Sequence, residues 1–273
     1  MSSTNLTRRF HRLLLTGAAG NLGREMRRRL AAHCEVLRVS DVAALGPAAA
    51  HEEAVQADLA DAAAVRGLLA GGVDAVIHLG GVSTEQPWEA ILPANIVGTY
   101  NVYEAARLEG VKRIVFASSN HVTGFYRQDE TIPAGAPPRP DGLYGLSKAF
   151  GEDLAQLYQD RFGIETVSVR IGSSFAAPTT RRMLATYLSY DDCERLVLAA
   201  LTAPVLRHTI VCGVSANARL WWDNTPARHL GYVPQDSSAP WAAEIERSEP
   251  APDLADPASL YQGGAFVRQG FGK

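Results

Sequence analysis

Tyr144 and Lys148 stand four positions apart in the segment Gly142-Leu143-Tyr144-Gly145-Leu146-Ser147-Lys148. On a helix, that spacing puts a phenol and an ammonium on one face, pointing into one cleft. A free tyrosine has a pKa of about 10 and a useful base at neutral pH needs about 7, a gap of roughly 4 kcal/mol. One ammonium about 4 Å away, at an effective dielectric of 20, supplies up to about 4 kcal/mol. The pair is therefore suited to taking a proton from an alcohol. Ser118 and Ser119 follow an apolar run and offer a hydroxyl to hold the reacting oxygen beside the phenol. A tyrosine and a lysine at this spacing are commonplace on protein surfaces, so the weight lies in what surrounds them.

The second candidate site lies at the other end of the sequence. Thr16-Gly17-Ala18-Ala19-Gly20-Asn21-Leu22-Gly23 follows a short apolar run and opens a helical pattern. Gly17, Gly20 and Gly23 permit a tight turn and close backbone approach to a pyrophosphate, which the helix N-terminus attracts. Asp41 stands 18 positions past Gly23, where a carboxylate can accept hydrogen bonds from both hydroxyls of an adenosine ribose. That carboxylate repels a 2′-phosphate, so the cofactor expected is NAD rather than NADP. Arg38 lies three residues earlier, and strand alternation turns it to the opposite face. Asp58 and Leu59 are expected at the adenine edge. Leu79, Gly80 and Gly81 leave room for the cofactor after a further strand. A bound, positively charged nicotinamide would also help lower the Tyr144 phenol.

Short apolar runs that alternate with helical patterns must position these residues. Strands are predicted at His11–Thr16, Glu35–Ser40, Ala54–Ala57, Ala75–Leu79, Arg113–Ser118 and Thr166–Ile171. Helices are predicted at Asn21–Ala32, Asp61–Leu69, Trp88–Leu108 and Gly142–Arg161, with Pro93 disturbing the start of the third and Asp141 capping the fourth. Continuously apolar strands between helices imply an α/β fold, a doubly wound parallel sheet with right-handed crossovers. The rhythm breaks after Ile171: residues 172–190 read as loop, followed by a helix at Asp191–Leu201 and a strand at Thr209–Cys212. The division expected is an N-terminal tail at 1–10, a cofactor-binding Rossmann core at 11–171, and a small C-terminal substrate-binding cap at 172–273 packed on the same domain.

Composition removes several classes. Apolar residues at 47% and charged residues at 20% exclude wholesale disorder, and 26 Lys and Arg against 29 Asp and Glu give −3. That balance offers nothing to nucleic acid or to a membrane surface. No apolar run approaches the roughly 18 residues that a membrane-spanning helix needs. Arg8-Arg9-Phe10 before Leu13-Leu14-Leu15 resembles an export signal only faintly, because glycines and further arginines follow at once. Cys34, Cys193 and Cys212 are far apart and odd in number, which suggests neither disulfides nor zinc; a cytoplasmic, reduced chain without metal is expected.

The glycine turn with Asp41, the Ser118-Ser119-Asn120 run and the Tyr144–Lys148 pair resemble the extended, sugar-handling branch of the short-chain dehydrogenase/reductase superfamily. Longer stretches are similar to the NAD-dependent uronate dehydrogenase family: HLGGVS (78–83), FASSNHVTGFY (116–126), RPDGLYGLSKAFGE (139–152), VRIGSS (169–174), RRMLATYLSYDD (181–192) and WWDN (221–224). The resemblance implies oxidation of C1 of a free pyranose hexuronate, such as glucuronate or galacturonate, to an aldaric acid lactone with reduction of NAD. It implies Tyr144 as base and Lys148 as its partner and a ribose ligand. Ser119, or else its neighbour Ser118, aligns the C1 oxygen. Gly17, Gly20, Asn21, Leu22, Gly23, Asp41, Asp58, Leu59, Leu79, Gly80 and Gly81 would hold the cofactor. Ser83, Ser119, Asn120, His121 and Ser173 would contact the sugar, and Arg182 its C6 carboxylate. A homo-oligomer is commonly found for this fold.

Arg182 also makes physical sense alone, since a guanidinium binds a carboxylate through two parallel hydrogen bonds. The alternative is a solvated Arg181-Arg182 surface pair. In the wider branch small residues and Val-Tyr-Gly usually follow the serines, whereas Asn120-His121-Val122-Thr123-Gly124 stands here. His121 is thus either a reader of substrate hydroxyls or a buried histidine satisfied by the backbone. His78 reads as a packed strand residue, Trp221 and Trp222 as core or subunit contacts, and Asp191-Asp192 as a helix N-terminus rather than a metal pair. The competing functions are a nucleotide-sugar epimerase or dehydratase on the same fold and a non-catalytic NAD-binding sensor.

Overall fold

The computed structural model describes residues 10–269. The predicted tail lies outside them except for Phe10. Seven parallel strands form one sheet, with the two-residue β6 (Ile132–Pro133) lying outside it: β1 (Phe10–Thr16), β2 (Cys34–Asp41), β3 (Glu52–Gln56), β4 (Ala75–His78), β5 (Arg113–Ser119), β7 (Glu165–Ile171) and β10 (His208–Gly213). Their order across the sheet is β3-β2-β1-β4-β5-β7-β10, so the winding reverses between β1 and β4. Such a reversal opens a crevice at the carboxyl ends of the strands. The seventh strand comes from beyond Ile171, so the C-terminal segment extends the sheet as well as covering its edge.

Apolar side chains occupy both faces of the strands, and each face takes its own layer of helices. Leu13, Leu15, Ile77 and Val115 pack toward α1 (Asn21–Leu30) and α7 (Tyr190–Thr202) through Met26, Leu30, Leu196 and Ala200. Leu14, Val76, Ile114 and Phe116 pack toward α2 (Ala62–Leu69), α4 (Gly98–Glu109) and α5 (Leu143–Phe162) through Leu69, Val102, Tyr103 and Leu154. Alternate residues of one strand thus enter two cores, which explains why the strands read as unbroken apolar runs. Among the described residues, no helix is long and apolar enough to cross a membrane.

The predicted helix around Pro93 is a composite. A short α3 (Trp88–Ile91) runs into a π-helical turn at Leu92–Val97 before α4, with the Gly98 amide bonding back to the Pro93 carbonyl. The wider turn carries Asn95 inward. Its Oδ1 accepts from Val82 N (2.7 Å), and its Nδ2 donates to Val82 O (3.0 Å) and Ser147 Oγ (2.9 Å). The π turn therefore pins the loop after β4 to α5.

Residues 172–190, read as loop, contain two-residue strands β8 (Ser173–Ser174) and β9 (Tyr187–Leu188) around α6 (Met183–Thr186). These pieces are too short for any periodicity to reveal. Asp191 and Asp192 fall in the first turn of α7, as anticipated, with Ser189 as its cap. Trp222 is buried and donates to Gln262 Oε1 (2.9 Å).

The cap of α5 is a correction. Asp141 was expected to cap it, but its carboxylate is turned away toward His121 (Nδ1–Oδ2 2.7 Å). Glu85 does the work from a distant loop: Leu143 N and Tyr144 N donate to its two carboxylate oxygens, each at 2.9 Å. Beneath the helix, Arg170 donates through Nε and Nη2 to Glu152 (2.9 and 2.7 Å) and through Nη1 to the carbonyls of Ala134 and Ala136. Replacing Glu85 with alanine should destabilise the fold by about 1 kcal/mol, as loss of a helix cap does. The check is the urea midpoint, with Glu85→Gln recovering part of the loss.

Candidate active site

One cavity of about 830 Å³ lies along the carboxyl ends of the strands, and every site residue named from the sequence lines it. Its first half is the turn between β1 and α1. Gly17 adopts φ +72°, and a Cβ there would meet Gly80 N at 2.7 Å, while a Cβ at Gly23 would collide with the Gly17 carbonyl. The turn packs only if both lack side chains. No side chain caps α1 and no acidic residue occupies its first turn, so its amides are free to meet an anion. Asp41 braces this turn, accepting from Ala19 N through Oδ2 and from Ala43 N through Oδ1, both at 2.9 Å.

Arg38 is committed elsewhere, donating to Glu53 (2.8 Å) and to the carbonyls of Leu68 and Ala70. It has no part in the cofactor half. His78 is fully buried, with Nδ1 2.8 Å from Thr16 Oγ1, and burial pushes its pKa down to about 3. Thr16 Oγ1 in turn accepts from Gly80 N at 3.1 Å, so His78 steadies the wall of the turn. The shape and chemistry of this half fit a dinucleotide: a glycine cradle, a free helix N-terminus and a carboxylate at the end of β2.

The second half gathers Ser119, Tyr144, Lys148, His121 and Arg182. Ser118 and Ser119 are separated by what their hydroxyls touch. Ser118 Oγ donates to Glu152 Oε1 at 2.6 Å and joins the buried Arg170 ion pair, whereas Ser119 Oγ accepts from His121 N at 3.1 Å and favours the ionised form of the Tyr144 phenol. Burial pushes that phenol up to about 12, against the pull of Ser119, and pushes the Lys148 ammonium down to about 8. The expected lowering of Tyr144 by Lys148 is thus not present in the chain alone. Lys148 Nζ lies 5.7 Å from the Tyr144 ring centroid and 5.1 Å from that of Phe116, and desolvation outweighs attraction at that separation.

The two arginines part company. Arg181 is tied to the end of α8 (Ala239–Ser248), its backbone amide donating to Glu249 Oε2 at 2.6 Å and its guanidinium to the Pro250 carbonyl at 3.0 Å. Arg182 turns into the cavity. Its Nε donates to the Gln262 carbonyl (2.8 Å), and Nη2 donates to Asn120 Oδ1 when the Asn120 amide is set to donate to Ile171 O (3.0 Å). It has no carboxylate partner among the described residues, and burial lowers its pKa to about 10. Ser173 Oγ is 2.8 Å from Thr186 Oγ1, while the buried Ser174 Oγ beside it has no partner among the described residues.

His121 is buried, but a carboxylate satisfies it rather than the backbone: Asp141 holds Nδ1, and Phe266 stacks on the ring at 3.8 Å between centroids. Asp141, Glu85, Gln262 and Phe266 escape sequence reasoning. Three of them reach the site from loops or from the C-terminal segment, with no spacing to link them to Tyr144. Of the four, Asp141 alone is legible in the sequence, as a helix cap, and its carboxylate serves His121 instead.

A family model for the NAD-dependent epimerase/dehydratase family matches residues 13–233. The uronate dehydrogenase of Pseudomonas putida is 60% identical over 262 residues, 96% of this chain and 97% of that protein. The crystal structure of a glucuronic acid dehydrogenase from Chromohalobacter salexigens superposes with TM-score 0.93 at 55% identity, covering 95% and 97% of the two chains. A point mutant of uronate dehydrogenase from Agrobacterium tumefaciens, complexed with NAD, gives TM-score 0.94 at 50% identity, covering 97% and 99%. If Asp41 both braces the turn and excludes a 2′-phosphate, Asp41→Ala should weaken NAD binding by about tenfold, the worth of a hydrogen bond to a charged group. It should also narrow the preference for NAD over NADP, as measured by titrating each cofactor.

Proposed function

The chain belongs to the NAD-dependent epimerase/dehydratase family and to its uronate dehydrogenases, and on that footing we propose that it oxidises C1 of a free pyranose hexuronate to an aldaric acid lactone. The single observation that carries the substrate class is Arg182. A half-buried guanidinium in a cavity wall, with Asp141 acting on it only from beyond ion-pair distance, is costly to desolvate, and a ligand carboxylate offsets that cost with two parallel hydrogen bonds.

Gly17, Gly20, Asn21, Leu22, Gly23, Asp41, Asp58, Leu59, Leu79, Gly80 and Gly81 line the half suited to NAD. When bound there, NAD supplies the acceptor for the hydride that leaves C1, and its positive ring favours an ionised phenol nearby. The remaining chemistry belongs to the chain. Arg182 holds the C6 carboxylate and so sets which end of the sugar faces the turn. Ser119 Oγ aligns the C1 oxygen, and Tyr144 Oη takes the C1 hydroxyl proton. Lys148 provides the cation that a phenolate requires in a dry site. Ser83, Asn120, His121 and Ser173 contact the other hydroxyls. Removal of the C1 hydrogen and the hydroxyl proton from a closed ring gives a lactone without water taking part.

In this reading residues 11–171 hold the cofactor while 172–273 supply Ser173 and Arg182 to the substrate. The buried thiols of Cys193 and Cys212, in no disulfide among the described residues, support a reducing cytoplasm. Exposed Tyr100 and Leu108 on α4, with Leu146 and Leu157 on α5, support a homo-oligomer. The identity to uronate dehydrogenases over nearly the whole chain favours this reading over a nucleotide-sugar epimerase or a silent sensor.

The direct test is NADH formation with free hexuronates, neutral hexoses and UDP-sugars. Turnover is expected with the first group only, and Tyr144→Phe should abolish it; activity confined to UDP-sugars would reverse the assignment. Arg182→Ala should raise KM and lower kcat/KM by at least about 2 kcal/mol. An unchanged KM would remove the carboxylate role.

A further inference from the structure

His121 is gripped on three sides. Asp141 Oδ2 lies 2.7 Å from Nδ1, Phe266 stacks on one face, and Tyr144 meets the ring edge-on at 5.8 Å. The Asp141 side chain is wholly enclosed, and its Oδ1 has no partner among the described residues. Gly124 and Gly263 press against it, since a Cβ on either would collide with Oδ2. The Gly263 amide donates to the Gly124 carbonyl at 2.9 Å, which locks the two glycines together around the carboxylate. Asp141 therefore has one side-chain partner and little room to turn from it.

An ionised carboxylate only accepts, so the shared proton belongs to Nδ1 and a neutral ring leaves a lone pair on Nε2. That nitrogen has no hydrogen-bond partner among the described residues and belongs to a side chain that lines the cavity. Burial favours the neutral ring, opposed by Asp141; Arg182 acts with burial and Glu85 against it. The other groups around the substrate half are mainly donors: the guanidinium of Arg182, the ammonium of Lys148, and hydroxyls that can turn either way. Donors hold a carboxylate or a carbonyl equally well. A fixed acceptor demands an O–H.

We propose that Asp141 is a positioning residue that holds His121 as the Nδ1–H tautomer, so that Nε2 accepts a hydrogen bond from one hydroxyl of the bound sugar acid and selects for that hydroxyl. The substrate half of this statement rests on the uronate reading above; the tautomer does not. A sugar without that hydroxyl leaves Nε2 buried and unpaired, which is the costlier side of hydrogen-bond discrimination.

Two measurements separate the parts. In ¹⁵N-histidine-labelled enzyme near neutral pH, without sugar or cofactor, the His121 signals (assigned with His121→Gln) should show a protonated Nδ1 and an unprotonated Nε2. A ring protonated at Nε2 would overturn the proposal, whatever the enzyme oxidises. In the second measurement, kcat and KM are compared for glucuronate and its 2-, 3- and 4-deoxy analogues. The wild type should lose about tenfold or more in kcat/KM for one analogue, mainly through KM. Asp141→Ala should largely erase that preference while retaining turnover of the parent sugar acid. Equal discrimination by both proteins would refute the role of Asp141. Should Asp141→Ala fail to fold, or no uronate be turned over, the tautomer in the wild-type protein still decides the matter.

Discussion

Three ionisable side chains line one cavity, Tyr144 and Lys148 buried and Arg182 half-buried, and no carboxylate forms an ion pair with either cation among the described residues. Burial moves all three toward neutrality: the phenol up, the ammonium and the guanidinium down. A fold does not keep such an arrangement for stability, because uncompensated burial of cations is a net cost. The arrangement is relieved when anions enter, one at the helix N-terminus and one at Arg182. The two halves of the cavity are thus complementary to ligands that bring negative charge with them.

Stability is secured away from that tension. The two apolar layers against the sheet carry the core, and the Glu152–Arg170 pair beneath α5 is fully hydrogen-bonded, with Ser118, Ala134 and Ala136 completing its valences. The division shows in adjacent residues. Ser118 and Ser119 sit side by side on β5, yet strand alternation sends one hydroxyl into the supporting ion pair and leaves the other at the phenol. Asn95 on the π turn and Glu85 on the loop that precedes it secure the wall of the cavity to α5. Tyr144 is therefore positioned by its own helix and by a loop that also carries Ser83 and lines the same space.

The strands and long helices were legible because their patterns are local. Buried parallel strands announce themselves as apolar runs, and a glycine turn between a strand and a helix has a fixed order. What sequence reading lost was long-range or electrostatic. Glu85 caps a helix that begins 58 residues later, and Phe266 packs on a histidine 145 positions before it; no period links them. Asp141 sits where a helix cap is expected, but a buried imidazole competes for its carboxylate and wins. At an effective dielectric of 20 a lysine neighbour and a nicotinamide cation lower the phenol, but the chain alone encloses Tyr144 and Lys148 in a dry site where desolvation dominates. The two-residue strands within 172–190 fall below any length at which alternation can register.

Phe266 has a consequence for the order in which the protein acquires its abilities. The dinucleotide half is assembled from residues between Gly17 and Gly81, while the wall behind His121 waits for Phe266, made 185 positions after Gly81. Because chains emerge from the ribosome N-terminus first and fold as they emerge, a nascent polypeptide would own a nucleotide crevice well before it owned a sealed chamber for the sugar. Synthesis itself thus imposes a sequence of competence, grip first and chemistry afterwards.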